Sequence, residues 1–148
     1  MLTNVLIVED DPMARTLFEI YIKNSGRYRL AAAIESAALA ELYCLKTQID
    51  LIIMDVCTAL NASGLEAAAI KKNHPKIKII IVTSQQECDF IARAKKSNID
   101  SFWYKDPSEE TVLSVMDRTM NGESVYPDTR PSLKVGEASN TEFTEAEL

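Results

Sequence analysis

The sequence predicts an α/β protein built on a doubly wound, five-stranded parallel sheet. Three observations lead there. Short apolar runs of strand length recur five times along the chain. Each run is followed by a stretch with apolar residues at helical spacing. Runs that are apolar throughout suit strands buried on both faces, and strands joined by helical crossovers are parallel.

The elements follow in order. Val5-Leu6-Ile7-Val8 reads as the first strand, and Pro12 to about Asn24 as the first helix, with Met13, Leu17, Ile20 and Tyr21 near helical spacing. Arg29 to Ile34 is a second strand, weakened by its alanines. Ser36 caps a second helix through Lys46, carrying Leu39, Leu42, Tyr43 and Leu45. Leu51-Ile52-Ile53-Met54 is the third strand, and small residues from Cys57 to Ser63 form a loop. A third helix runs from about Leu65 to Asn73 and stops before His74-Pro75, because the residue before a proline avoids the helical region. Ile77 to Val82 is the fourth strand, Gln86 to Ser97 the fourth helix, and Ser101 to Tyr104 the fifth strand. The fifth helix spans Ser108 to Met120, with Ser108 as its cap and Gly122 just past its end. Right-handed crossovers then give the flavodoxin-like order 2-1-3-4-5, with ligands expected at the C-terminal ends of the strands.

A chain of 148 residues supports one hydrophobic core rather than two. Residues 1–124 are expected to form that domain. Beyond it, Pro127, Pro131 and Gly136 interrupt a polar stretch, so 125–148 reads as a linker. The net charge of -6 disfavours binding of this fragment to DNA or to an anionic membrane. Cys44, Cys57 and Cys88 form no close-spaced pair, and His74 is the single histidine, so a zinc site is not indicated. Unpaired thiols, no basic apolar leader and no long apolar run point to a cytoplasmic location.

The chemistry lies at the strand ends. The first strand ends in Glu9-Asp10-Asp11, the third in Asp55, the fourth in Thr83-Ser84 and the fifth in Lys105. Singly, each has an ordinary explanation: acidic loop residues, a strand threonine, a solvated lysine. Asp11 precedes Pro12 and is assigned to the helix cap, with proline at the first helical position. Jointly, on one rim, they form a set. Paired carboxylates suit a hard cation, Mg²⁺ or Mn²⁺. A further carboxylate beside that cation can act as nucleophile and form an aspartyl phosphate. An ammonium and a hydroxyl can stabilise charge on the incoming phosphoryl oxygens.

With these residues in view, the sequence resembles the receiver domain of bacterial two-component response regulators. The resemblance is carried by Val5-Leu6-Ile7-Val8-Glu9-Asp10-Asp11, by Asp55 after its apolar strand, by Ile81-Val82-Thr83-Ser84 and by Lys105. It covers about residues 3 to 121. It implies that Asp55 takes a phosphoryl group from a sensor histidine kinase. Glu9, Asp10, Asp55 and the main-chain carbonyl of Cys57 would hold the metal. Lys105 would contact the phosphoryl oxygens, and Thr83 would move towards them and draw Phe102 inward. Phe102, three residues before Lys105, is also open to a plain reading as a core aromatic.

The chain from Lys105-Asp106-Pro107 through Asn121-Gly122-Glu123 to Tyr126-Pro127 resembles the LuxR/NarL type, whose members carry a helix-turn-helix domain after a short linker. Phe143 to Leu148 resembles the opening of that DNA-binding domain, or else is a polar tail. The resemblance thus implies a transcription regulator truncated before its output domain, and a homodimer on phosphorylation. Two departures stand out. Ala59 occupies the family's proline place and Gly64 comes one residue late, so the loop after Asp55 differs; and Asp106 rather than proline follows Lys105. The altered loop keeps open a phosphorylation-independent interaction module of the same fold. A flavin- or nucleotide-binding protein is disfavoured, because Glu9-Asp10-Asp11 would repel phosphate where a glycine-rich cradle is needed.

Overall fold

The computed structural model describes residues 2–56, 62–84, 88–105 and 110–127, and for 62–65 and 88–90 it describes the backbone alone. In chain order the elements are β1 (Thr3–Val8), α1 (Pro12–Ser25), β2 (Tyr28–Ile34), a 3-10 turn (Ala37–Leu39) leading into α2 (Ala40–Lys46), and β3 (Leu51–Asp55). Then come α3 (Ala62–Asn73), β4 (Lys78–Thr83), α4 (Cys88–Lys96), β5 (Ser101–Tyr104) and α5 (Val112–Met120). The strands are parallel in the order β2-β1-β3-β4-β5, as the alternation of elements predicted.

Strand alternation sorts the apolar residues into two cores. Leu6, Val8, Ile52, Met54, Ile79, Ile81 and Phe102 pack on one face with Ala40, Ala67, Ile70 and Ile91 of α2, α3 and α4. Val5, Ile7, Leu51, Ile53, Ile80 and Val82 pack on the other with Phe18 and Ile22 of α1 and Val115 and Met116 of α5. Burying one such side chain stabilises the fold by about 1.5–3 kcal/mol. The central strands are therefore held firmly in register. Val8 lies level with Met54, Asp55 with Val82, and Thr83 with Tyr104.

Local chemistry sets the helix ends. Asp11 caps α1 by accepting a hydrogen bond from the Ala14 amide at 3.1 Å, and Pro12 takes the first helical position, as expected. Gly26 closes α1 at φ 75°, a left-handed conformation that favours glycine. Ser36 caps the 3-10 turn rather than a regular helix.

Three expectations are corrected. The third helix begins at Ala62, so Ala62 and Ser63 belong to it and not to the preceding loop. The fifth helix begins at Val112, capped by Thr111, which accepts from the Ser114 amide at 3.1 Å. The main-chain carbonyl of Glu110 is instead engaged by the Trp103 indole at 2.8 Å. Finally, Met13, Leu17, Ile20 and Tyr21 do not form the buried stripe of α1; all four are exposed, and Phe18 and Ile22 face the sheet. Cys57, Ala59, Asp106, Ser108 and the segment 128–148, with Phe143 to Leu148, lie outside the described residues.

Candidate functional site

The parallel register delivers the polar strand ends to one rim. Glu9 follows β1 directly, Asp55 ends β3, Thr83 ends β4 and Lys105 follows β5. Their backbones are tied together. The Val56 amide donates to Val82 O at 3.0 Å and the Lys105 amide to Thr83 O at 2.9 Å, while the Glu9 amide donates to Ile34 O at 2.9 Å. The rim is therefore built on rigid strand ends, with side-chain positions set by the sheet.

The side chains converge. Glu9 and Asp55 are buried, at 1% and 2% exposure, and Asp10 is exposed at the mouth. One carboxylate oxygen from each of Glu9, Asp10 and Asp55 lies within 4.8 Å of the others. Lys105 Nζ reaches in from β5, 2.6 Å from Glu9 Oε1 and 3.5 Å from Asp55 Oδ1. Thr83 is fully buried beside them at the end of β4. The structure thus brings together five of the predicted residues: Glu9, Asp10, Asp55, Thr83 and Lys105. Cys57, whose carbonyl the resemblance adds, lies outside the described residues. Phe102 is not at the rim. It is 1% exposed in the core below, its ring edge-on to Tyr104 with centroids 5.5 Å apart.

The charges are unbalanced. Burial raises the Glu9 carboxyl pKa to about 7; the Lys105 contact opposes this and the Asp55 charge adds to it. Burial pulls the Lys105 ammonium down, but its contacts with Glu9 and Asp55 outweigh that and leave it raised. Glu9 Oε1 is buried without an aligned hydrogen bond, although the ammonium lies close to it as an ion pair. One ammonium leaves the three carboxylates with excess negative charge, and burial makes that excess costly.

A hard divalent cation fits. Ligand oxygens on an octahedral Mg²⁺ lie about 3 Å apart when adjacent and about 4.2 Å apart when opposite, so the three carboxylates reach one ion by closing up to about 2 Å. The donor set is all oxygen, which suits Mg²⁺ or Mn²⁺ over zinc.

Two supports escape a reading of the sequence. Arg15 Nη1 donates to the Glu9 carbonyl at 2.9 Å, and the Asp11 amide donates to Glu9 Oε2 at 3.2 Å. Both hold Glu9 in place from the first turn of α1. An arginine one turn into a helix that opens on an acidic rim is the available signal for the first. The second is a main-chain donor and leaves no trace in sequence.

Comparison with known proteins agrees with this geometry. The family model described as "Response regulator receiver domain" matches residues 5–117. The response regulator protein VraR of Staphylococcus aureus is 32% identical over 129 residues, covering 85% of this chain and 60% of VraR. The chain thus spans about 60% of the length of these curated relatives. Among solved structures, the RcsB response regulator of Salmonella typhimurium superposes with a TM-score of 0.77 at 15% identity, over 87% of this chain and 64% of that one. Its isolated receiver domain, solved with the phosphomimetic BeF₃⁻, gives 0.77 at 14% identity, over 87% and 96%. A LuxR-family two-component response regulator from Aurantimonas gives 0.76 at 19%, over 84% and 89%. At these identities the structural likenesses speak for the fold.

Proposed function

The chain belongs to the response regulator receiver domain family, and from that premise we propose that it is a phosphorylation switch in which Asp55 accepts a phosphoryl group from a sensor histidine kinase. The observation that carries the reading is the placement of Asp55. It is buried at the end of a central strand, 3.5 Å from Lys105 Nζ and clustered with Glu9 and Asp10. A receiver is a signalling domain rather than a conventional enzyme, and its chemistry is performed once on its own side chain.

In the transfer, a carboxylate oxygen of Asp55 forms the new P–O bond as the P–N bond to the donor histidine breaks. The imidazole leaves with the electron pair and takes up a proton. Glu9, Asp10 and Asp55 would hold Mg²⁺ or Mn²⁺, with the Cys57 carbonyl proposed as a further ligand. The bound cation supplies a positive charge that neutralises phosphoryl oxygens. Lys105 is already anchored between Glu9 and Asp55, so its ammonium needs only a small swing to reach a phosphoryl oxygen on Asp55. Thr83 offers a hydroxyl at the adjoining strand end. Its move towards the phosphoryl group is proposed to act on Phe102 and on the face made by α4, β5 and α5.

The output is proposed to be a DNA-binding domain of helix-turn-helix type, and the setting cytoplasmic. Among the described residues no helix is long and apolar enough to cross a membrane. Structures of RcsB include a complex of two dimers bound to two parallel DNAs, in line with a homodimer as the form that acts; its link to phosphorylation is part of the proposal.

The test is the intact mass of the 148-residue chain after incubation with acetyl phosphate and Mg²⁺. One added phosphoryl group is expected, and none on Asp55→Asn. An adduct of the same mass on the variant would move the site elsewhere.

A further inference from the structure

The chain does not leave the domain at the end of α5. Gly122, at φ 96°, lets it turn back, and residues 123–127 run beside the edge strand β5. The Phe102 amide donates to Val125 O at 2.8 Å. The Val125 amide donates to Ser101 Oγ at 3.0 Å, inside a buried relay. Ser101 Oγ lies 2.6 Å from Thr119 Oγ1, and Thr119 Oγ1 donates to Val115 O at 2.7 Å. Thr119 has its proton committed to Val115, so Ser101 must donate to Thr119 and accept from Val125. Each hydroxyl then donates once and accepts once, and the relay is complete only with the strap docked.

Tyr126 is the strap's anchor. Its ring stacks on Phe102, with centroids 6.4 Å apart and planes 29° apart. Lys95 Nζ of α4 sits 5.1 Å from the ring centroid, and the hydroxyl donates to the Ile99 carbonyl. Phe102 is 1% exposed, and the part-exposed ring stacked on it is Tyr126, which forms its cover. From Phe102 the path to the rim is short. Its ring meets Tyr104, which precedes Lys105 and pairs with Thr83 across the sheet.

We propose that Tyr126 is a positioning residue for the Asp55 site: by stacking on Phe102 it holds that ring in its buried place, and so couples docking of the 123–127 strap to loading of the rim. This rests on the phospho-acceptor reading of Asp55. The physical ground is packing. Thr83 and Phe102 are fully enclosed, so a group added at Asp55 is accommodated through discrete shifts of these neighbours rather than into empty space. A ring clamped by Tyr126 favours one arrangement. Coupling between sites is reciprocal, so a strap that favours the loaded rim is in turn held tighter by loading. The strap joins the domain to residue 128 and onward, and it is the physical handle through which the state of Asp55 reaches the rest of the chain.

The experiment titrates the whole 148-residue chain with beryllofluoride in the presence of Mg²⁺, by calorimetry, for wild type, Tyr126→Ala and Tyr126→Phe. The proposal expects Tyr126→Ala to bind about fivefold more weakly, at the low end of ordinary coupling. Tyr126→Phe, which keeps the ring and loses the hydroxyl, should bind within about twofold of wild type. A lower melting temperature for Tyr126→Ala with unchanged or tighter beryllofluoride binding makes the residue merely structural and overturns the proposal. Wild-type hydrogen exchange gives a second reading that needs no variant to fold. The Phe102 and Val125 amides should exchange about fivefold more slowly once beryllofluoride is bound, and unchanged or faster exchange overturns the coupling. If wild type does not take up beryllofluoride at all, the Asp55 reading fails first and takes this one with it.

Discussion

The two ends of the sheet use the same residue types in opposite ways. At the N-terminal end, Asp100 precedes β5. Its Oδ2 accepts from Lys71 Nζ at 2.8 Å and from the Ile79 amide at 2.9 Å, and its Oδ1 lies 3.8 Å from Lys78 Nζ. Lys71 spends its remaining donors on Pro75 O and Ile77 O, at 3.1 and 3.0 Å. Donors and acceptors balance, and the cluster ties α3 to the starts of β4 and β5. At the C-terminal end, Lys105 is shared between Glu9 and Asp55 while Asp10 stands at the mouth, and Glu9 Oε1 has no aligned partner. Here acceptors outnumber donors. The first arrangement is a clasp. The second is a surplus of negative charge on the strand ends, three carboxylates to one ammonium, which a further cation would stabilise.

That contrast predicts effects of opposite sign. The largest belongs to the clasp. Asp100→Ala leaves Lys71 buried beside two carbonyls without its counter-charge, with the pair's side chains only 11% and 14% exposed. Loss of one partner of a buried pair costs about 3–5 kcal/mol. We expect a loss of about 3 kcal/mol in urea unfolding with no change in Mg²⁺ affinity. A loss below about 1 kcal/mol, or an equal loss of metal binding, would erase the distinction between the two ends.

The rim should respond the other way. Glu9 carries a pKa raised from 4.5 to about 7 in the folded state, chiefly by burial. A carboxyl raised on folding binds its proton more tightly in the native state. Its contribution is fully favourable below about pH 4.5 and is lost as pH rises through about 7. The metal-free protein should therefore gain stability between pH 7.5 and 5. Glu9→Gln should flatten that rise and, at pH 7.5 without metal, be more stable than wild type by about 1–2 kcal/mol, since each tenfold change in proton affinity on folding corresponds to about 1.4 kcal/mol. Mg²⁺ should stabilise wild type more than the variant. Urea titrations at the two pH values, with and without Mg²⁺, measure all of this. A metal-free protein that weakens steadily on acidification counts against a strained rim.

Much of this contrast is legible in the sequence, and the illegible part has physical causes. The strands are legible because every residue of a two-sided buried strand must be apolar, as in Leu51 to Met54. The rim is legible because Glu9, Asp55, Thr83 and Lys105 each close an apolar run, and parallel strands bring their ends level. Helix faces are not. In α1 both Met13-Leu17-Ile20-Tyr21 and Phe18-Ile22 satisfy helical spacing, and periodicity alone cannot choose; the structure buries the second. In the second helical segment the bulky Leu39, Leu42 and Leu45 are exposed, while the small Ala37 and Ala40 are the residues buried in the core. The start of α5 is misplaced by sequence because Ser108 and Thr111 are equally good caps, and the choice between them involves a tertiary contact, the Trp103 indole on the Glu110 carbonyl. In sequence the domain reads as ending at 124 and 125–127 as part of a linker, since the strap's hold on β5 comes from tertiary hydrogen bonds and one stacked ring.

The smallest predicted effect separates two adjacent carboxylates within the rim itself. Asp10 and Asp11 are chemically alike and neighbours in sequence, yet the structure gives them different work. Asp10 contributes an oxygen to the cluster with Glu9 and Asp55. Asp11 turns its Oδ2 to the Ala14 amide and caps α1. Its own amide supports Glu9 Oε2, but that is a main-chain donor and survives substitution. Asp10→Ala should therefore weaken Mg²⁺ binding by about tenfold, the scale expected when one carboxylate leaves a site that keeps several waters. Stability without metal should not fall, because a negative charge has been removed from a crowded rim. Asp11→Ala should do the reverse: about 1 kcal/mol of stability lost with the cap, and Mg²⁺ affinity within about twofold of wild type. Calorimetric titration and urea unfolding of both variants give the four numbers. Trp103 is a poor reporter for this purpose, since its ring packs against Phe18 and its indole against Glu110, on the opposite face of the sheet from Phe102. Equal losses of metal affinity in the two variants would mean that Asp11 leaves its cap to join the site, and the assignment of roles along Glu9-Asp10-Asp11 would have to be redrawn.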